Sequence, residues 1–300
     1  MSKEKWDSSN IPSQNGKIVI VTGSSSGIGY EAAKVLASKG AEVILAVRNL
    51  SKGENAQKKI KSFSKDANVF VMELNLASLS SVRKFTENFK SRYSSLDLLI
   101  NNAGVMIPPY SKTEDGFELQ FGTNHLGHFA LTGLVMDLLT ATPGARIVNV
   151  SSAAHKYGNI NFEDLNWEKR KYNAWKAYGD SKIANLYFTY ELQKRLKKSG
   201  SKLLVTAAHP GWTATDLQRN SGFFEFMNII AQKTEMGALP TLRAAIEPNI
   251  SGGEYFGPAD WMEWRGYPRL VQSNKLSRDE AISNKLWEVS EGLTGVNFKL

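Results

Sequence analysis

The chain has 300 residues, of which 42% are hydrophobic, with a formal net charge of +8 and no cysteine. That leaves room for one large α/β domain or two average ones, argues against disorder, and excludes a disulfide framework or a thiolate metal site. The lysines are scattered over Lys52, Lys58, Lys59, Lys61, Lys65 and beyond, without a dense basic block interleaved with aromatics, so solvated helix faces are expected and no nucleic-acid partner.

The first residues, MSKEKWDSSNIPSQNG, are polar and lack an apolar h-region, so residues 1–15 are expected to form a tail. KIVIVTG (17–23) reads as a buried strand, GYEAAKVLASKG (29–40) as a helix ending at Gly40, AEVILAV (41–47) as a strand and KGENAQKKIKSF (52–63) as a helix. NVFVMEL (68–74) is the third strand, followed by a helix around 80–91, the strand-and-turn LDLLINNAG (96–104) and a long apolar helix over 118–141. ARIVNVSS (145–152), a helix running to about residue 198, KLLVTAAHPG (202–211) and a short strand at GGEYFG (252–257) complete the series. Short apolar strands alternating with helices predict a single Rossmann-type, doubly wound parallel α/β sheet of about seven strands over residues 16–300. No apolar run approaches the length of a transmembrane helix, and the expected location is cytoplasmic.

VTGSSSGIG links the first strand to the first helix. Gly23, Gly27 and Gly29 give the G-x-x-x-G-x-G spacing of a turn that lets backbone approach a pyrophosphate, with Ser25, Ser26 and Ile28 between them. The lysine of a nucleotide-triphosphate loop is missing. At the end of the second strand, Val47 occupies the position where an acidic residue would bind a ribose 2′-hydroxyl, and Arg48 and Asn49 follow. An arginine there suits a 2′-phosphate, so NADP(H) is expected ahead of NAD(H), with Lys52 adding positive charge.

AWKAYGDSKIANL (174–186) stacks Tyr178 and Lys182 one helical turn apart. The spacing alone decides little, since Tyr172 and Lys176 repeat it. Four further motifs fall at strand ends or in the helix that follows: NNAG (101–104), TNHLGHF with Asn124, VNVSS with Ser151 and Ser152, and HPGWTATDL with Pro210, Gly211, Thr213 and Thr215. Taken in order with YGDSK, they resemble the short-chain dehydrogenase/reductase family over about residues 15–260.

The resemblance implies roles. Tyr178 matches the acid–base tyrosine, and Lys182 the lysine that stabilises its phenolate and holds the nicotinamide ribose. Ser152, rather than Ser151, matches the serine that holds the substrate oxygen. Asn124 matches the asparagine that orders a proton-relay water. Asn102, Ala103 and Gly104 are implied on the adenosine side of the cofactor, with Asn75 and Leu76 near the adenine, where the family often has an aspartate. Pro210, Gly211, Thr213 and Thr215 are implied beside the nicotinamide and its phosphates. The polar, aromatic stretch HKYGNINFEDLNWEKRKYNAWK (155–176) lengthens the Ser152–Tyr178 spacing. That resembles the long-insert branch containing retinol dehydrogenases, WW-domain oxidoreductases, carbonyl reductases and light-dependent protochlorophyllide reductases.

Residues 216–238 are expected to form a substrate lid, because Phe223, Phe224, Phe226, Met227, Ile229 and Ile230 exceed what a one-sided helix needs; core packing or a subunit contact is the alternative. The implied substrate is a hydrophobic carbonyl or alcohol. His125 and His128 find no third ligand, so no metal is expected. Two other functions are open on this fold: a non-catalytic NADP(H) sensor, and a light-driven reductase, which the lack of cysteine disfavours. A homo-oligomer through the helices around 118–140 and 177–198 is also open, since the insert could cover them.

Overall fold

The computed structural model describes residues 5–213 and 231–300. Eight strands form one sheet in the order β3-β2-β1-β4-β5-β6-β7-β8. They are β1 (Ile18–Thr22), β2 (Glu42–Val47), β3 (Val69–Glu73), β4 (Leu98–Asn101), β5 (Arg146–Val150), β6 (Leu204–Ala208), β7 (Tyr255–Asp260) and β8 (Arg265–Leu270). All neighbours pair in parallel except β7 and β8. The chain reverses between β1 and β4, so the carboxyl ends of those strands open a crevice there.

The central strands are apolar along their whole length because both faces are covered. Val19, Val21, Val43 and Leu45 face α1 (Gly27–Ser38) and α8 (Thr234–Ile246), packing with Ala32, Leu36 and Leu242. Their alternates Ile20, Ile44 and Leu99 face the other layer, with Phe85, Phe89, Phe129, Phe188 and Trp287. This layer contains α3 (Leu79–Lys90), α5 (Gly127–Leu134), α7 (Ala174–Lys198) and α9 (Glu280–Thr294), while α2 (Leu50–Phe63) joins β2 to β3.

Three sequence expectations are corrected. The eighth strand was not anticipated, because Gly266 and Pro268 break its pattern; it is an edge strand, where a proline costs no ladder bond on the open side. The 118–141 helix is not continuous. Glu118 caps α4 (Leu119–Phe121), a π-helical turn covers Gly122–Leu126, and α5 is followed by α6 (Met136–Ala141). Residues 5–15 are not a free tail, since Trp6 and Ile11 are buried in the core and the Arg243 guanidinium lies 5.8 Å from the Trp6 ring.

Among the described residues, no helix is long and apolar enough to cross a membrane. Of the expected lid, residues 216–230 lie outside the described residues, as does Thr215, while Thr234 to Ala238 belong to α8.

Candidate active site

A cavity of about 610 Å³ runs along the crevice at the strand ends, and most of the residues singled out in the sequence line it. At its floor, Gly23 has φ 65° and Gly27 φ 61°, a left-handed backbone that side chains rarely adopt. A Cβ on Gly23 would lie 2.8 Å from Ala103, and one on Gly29 would lie 2.7 Å from the Gly23 carbonyl oxygen and collide with the Asn102 amide. The cradle therefore exists only without side chains at these positions. Ser25, Ser26, Gly27, Ile28 and Gly29 line it, and Ser26, the residue before α1, makes no side-chain cap. The first-turn N–H groups of α1 are thus available to an anion, as a dinucleotide pyrophosphate requires.

At one end of the cavity stand Arg48, Asn49 and Lys52. Arg48 is exposed, whereas Val47 is buried, packed where Gly53 of α2 approaches it. The Asn49 side chain caps α2 by accepting from Lys52 N at 2.9 Å, which fixes the loop carrying Arg48. Asn75 lines the same end; its Oδ1 accepts from Ala77 N at 3.1 Å and its Nδ2 donates to Glu114 at 3.2 Å. Leu76 is buried beside it, under Gly127.

The NNAG turn after β4 hangs on Thr22. The Thr22 hydroxyl accepts from Asn102 N and Ala103 N, each at 2.9 Å, and lies 2.9 Å from His128 Nε2. His128 Nδ1 lies 2.9 Å from the Asn124 carbonyl and must donate to it, so in the neutral ring Nε2 accepts the Thr22 proton. Burial pushes His128 down to about 4, which keeps it neutral. Asn102 Nδ2 donates to Thr22 O at 2.8 Å, and Gly104 passes between the Asn124 and Lys182 side chains.

Asn124, Ser152, Tyr178 and Lys182 converge at the other end. Asn124 sits in the π-helical turn, fully buried. It accepts from Val105 N at 2.8 Å and donates to Val105 O at 3.0 Å and Ser181 Oγ at 2.9 Å. A π-helical turn inside a helix is a frequent mark of a functional position. Lys182 is buried, donates to Val150 O at 3.2 Å and lies 5.6 Å from the Tyr178 ring centre. Burial lowers the Lys182 pKa to about 8 and raises that of Tyr178 to about 12, the Ser152 hydroxyl beside it acting in the opposite sense. The sequence expectation joins the oxidised nicotinamide to Lys182 in stabilising the phenolate; in the protein alone, burial dominates at Tyr178. Ser151 borders the cavity but its hydroxyl donates to the Lys182 carbonyl at 2.8 Å, and the hydroxyl beside Tyr178 is that of Ser152.

Pro210 closes the cavity from the end of β6, followed by Gly211 at φ 67°. A Cβ on Gly211 would collide with the Trp264 carbonyl oxygen. Thr213 is buried and its hydroxyl donates to Pro210 O at 2.9 Å. The second tyrosine–lysine pair does not enter this cavity. Tyr172 donates to Glu118 Oε1 at 2.8 Å, and Lys176 pairs with Asp180. His125 is spent on Ser290 Oγ at 2.9 Å and His209 on Glu263 at 3.1 Å.

The short chain dehydrogenase family profile matches residues 17–223. The chain belongs to the short-chain dehydrogenase/reductase family. It is 42% identical to retinol dehydrogenase 11 of Homo sapiens, over 94% of this chain and 86% of that protein. It is 41% identical to retinol dehydrogenase 12 of Mus musculus, over 95% and 88%. Among solved structures, an uncharacterized protein from Mycobacterium paratuberculosis superposes with a TM-score of 0.85 at 43% identity, over 99% of this chain and all of that one. This short-chain dehydrogenase/reductase is therefore of the retinol dehydrogenase branch, an oxidoreductase acting on alcohol or carbonyl groups with a nicotinamide cofactor.

Within this family member, sequence reading missed Thr22, His128 and Gln120. Gln120 donates to the Tyr172 hydroxyl and the Ala174 carbonyl, both at 2.9 Å, and accepts from Ile107 N at 2.9 Å. Its signal in the sequence is its place one helical turn before Asn124, on the same face.

Proposed function

We propose that the chain is an NADP(H)-dependent oxidoreductase that interconverts a hydrophobic alcohol and its aldehyde or ketone, with Tyr178 as the acid–base group. The observation that carries the cofactor choice is the cationic end of the cavity. Exposed Arg48 and Lys52 flank it, and buried apolar Val47 stands where an acidic residue would repel a 2′-phosphate. A planar guanidinium grips a phosphate with paired, charge-assisted hydrogen bonds.

The bound nicotinamide supplies the hydride. The protein supplies position and the proton. In the reducing direction the substrate oxygen is held between the Ser152 and Tyr178 hydroxyls. A phenol pushed to about 12 remains protonated at neutral pH and is ready to donate. The phenolate left behind is stabilised by Lys182, whose pKa of about 8 keeps most of its charge at neutral pH. Asn124 keeps Val105 and Ser181 in register beside that lysine. The retinol dehydrogenases to which the chain is similar support an apolar substrate of this alcohol or aldehyde class.

Tyr178→Phe tests the acid–base role. NADPH oxidation with an apolar aldehyde should fall by about 10²–10⁴, with NADPH affinity within about twofold of wild type. Unchanged turnover would remove Tyr178 from the chemistry and favour a non-catalytic, cofactor-sensing role.

A further inference from the structure

The turn between β7 and β8 packs against the segment that carries Pro210. Its residues Trp261, Met262 and Glu263 have φ of 51°, 53° and 69°, three consecutive side chains in the left-handed region. Such backbone persists only where its surroundings over-determine it, and it concentrates at functional positions. Met262 is exposed at this turn, whereas the Glu263 carboxylate reaches inward to 3.1 Å from Nε2 of His209, which is fully buried.

The partners of His209 fix its tautomer. Gly211 N donates to Nδ1 at 3.3 Å, so Nδ1 accepts, and Nε2 carries the hydrogen and donates to Glu263. Burial lowers the His209 pKa and favours this neutral ring. Burial also disfavours the Glu263 carboxylate, but the His209 hydrogen bond and the Lys156 cation at 3.8 Å outweigh it and lower its pKa, so the acceptor is charged at neutral pH. The Tyr255 ring lies 5.2 Å from the imidazole, and a Cβ on Gly257 would collide with Nε2, so the ring is held on a face and at an edge. The rest of the turn adds further ties. Trp264 O accepts from Trp212 N at 2.7 Å. Gly266 N donates to Gln232 Oε1 at 3.2 Å, and Gln232 Nε2 donates to Pro210 O at 2.6 Å. Each residue from His209 to Trp212 is thus fastened, directly or through one side chain, to positions 263–266.

We propose that Glu263 is a positioning residue: acting through His209, it fixes the Pro210–Gly211 wall against the nicotinamide half of the cofactor. The inference rests on the NADP(H) reading above and adds to it a residue outside the cavity. Pro210 lines the cavity together with Tyr178 and Lys182, whereas neither His209 nor Glu263 does, so an effect of the carboxylate on the cofactor must be transmitted. Arg48 and Lys52 stand at the opposite end of the cavity, which makes binding at that end the internal control.

The test uses the full chain and two ligands, NADPH and adenosine 2′,5′-bisphosphate, which keeps the 2′-phosphate end of the cofactor and lacks the nicotinamide. Glu263→Gly removes the carboxylate at a φ that glycine favours, so the fold should hold. Its Kd for NADPH should rise about tenfold, with that for the bisphosphate within about twofold of wild type. Glu263→Gln keeps an amide oxygen that accepts from Nε2, and should recover NADPH binding to within about threefold of wild type. Met262→Gly relaxes the neighbouring backbone and spares the carboxylate, so both ligands should stay within about twofold. Unaltered NADPH affinity in Glu263→Gly, equal weakening of both ligands, or a Glu263→Gln or Met262→Gly variant as impaired as Glu263→Gly would overturn the assignment. If wild type binds neither ligand, the NADP(H) reading falls, and the assignment with it.

Discussion

Thr22→Val is the sharpest structural probe of the site. The two side chains have nearly the same shape, and both suit a strand, so the substitution removes little but a hydroxyl. That hydroxyl accepts from Asn102 N and Ala103 N and gives its proton to His128 Nε2. Asn102 N retains the Ile100 carbonyl at 3.0 Å. Among the described residues Ala103 N has no second acceptor, and His128 Nε2 no second donor. His128 Nε2 is buried, whereas Ala103 N is part-buried at the cavity wall, so unpairing costs about 1–3 kcal/mol at the first and less at the second, an expected loss of about 2–3 kcal/mol. With an m-value of about 3 kcal/mol/M, the urea midpoint should fall by roughly 0.7–1 M. The same change frees the NNAG turn and the His128 hold on the Asn124 carbonyl, so NADPH affinity should weaken as well. A loss below about 0.5 kcal/mol with cofactor binding unaltered would refute the view that Thr22 organises this turn.

Other substitutions and conditions test separate parts. Gly29→Ala gains up to about 1 kcal/mol of helix propensity but forces a methyl against Asn102 and the Gly23 carbonyl, an overpacking cost of about 1–3 kcal/mol; a net loss near 1 kcal/mol and weaker NADPH binding are expected by urea unfolding and titration. His125, His128 and His155 are held by burial at about 3, 4 and 4, below the ordinary 6.5. Their folded pKa values are depressed, so their neutral-state contribution is complete above about pH 6.5 and is lost as pH falls toward 4. Glu118 and Asp180, raised by burial, work in the opposite sense over part of that range. Urea unfolding should therefore show lower stability near pH 5 than near pH 7.5; equal stability would contradict the buried neutral histidines. Lys182, at about 8, should lose its charge on going from about pH 7 to pH 9, and NADPH affinity should fall across that interval; a flat profile would mean that Lys182 does not meet the cofactor.

The sheet was legible because its strands are uninterrupted apolar runs, which two covering layers require. The edge strand β8 was not, because an edge carries little burial and Pro268 and Gly266 erase the alternation. Residues 5–15 looked detached because two buried apolar side chains, Trp6 and Ile11, are too few to give a period. The break in the 118–141 helix has no local signature either. The π-helical turn is followed by Gly127, whose missing side chain lets the Leu76 backbone approach, a tertiary fact that propensity does not encode. At the site, the ordered motifs pick out much of the cavity wall, whereas Asn124, Ser152, Gly211 and Thr213 do not line it. What they could not find were the residues acting one step back. Thr22, Gln120 and His128 are ordinary polar side chains whose partners lie on other elements, and only the fold brings them together.

The central claim, cofactor choice at a short-chain dehydrogenase/reductase site, is tested most directly by titrating NADPH and NADH against wild type and Arg48→Ala. Charge-assisted bonds to a 2′-phosphate are worth about 1.5–3 kcal/mol, so NADPH affinity should drop by about 10–100-fold in the variant while NADH affinity stays within about twofold. Wild type binding NADH as tightly as NADPH, or losing both equally in the variant, would contradict the account.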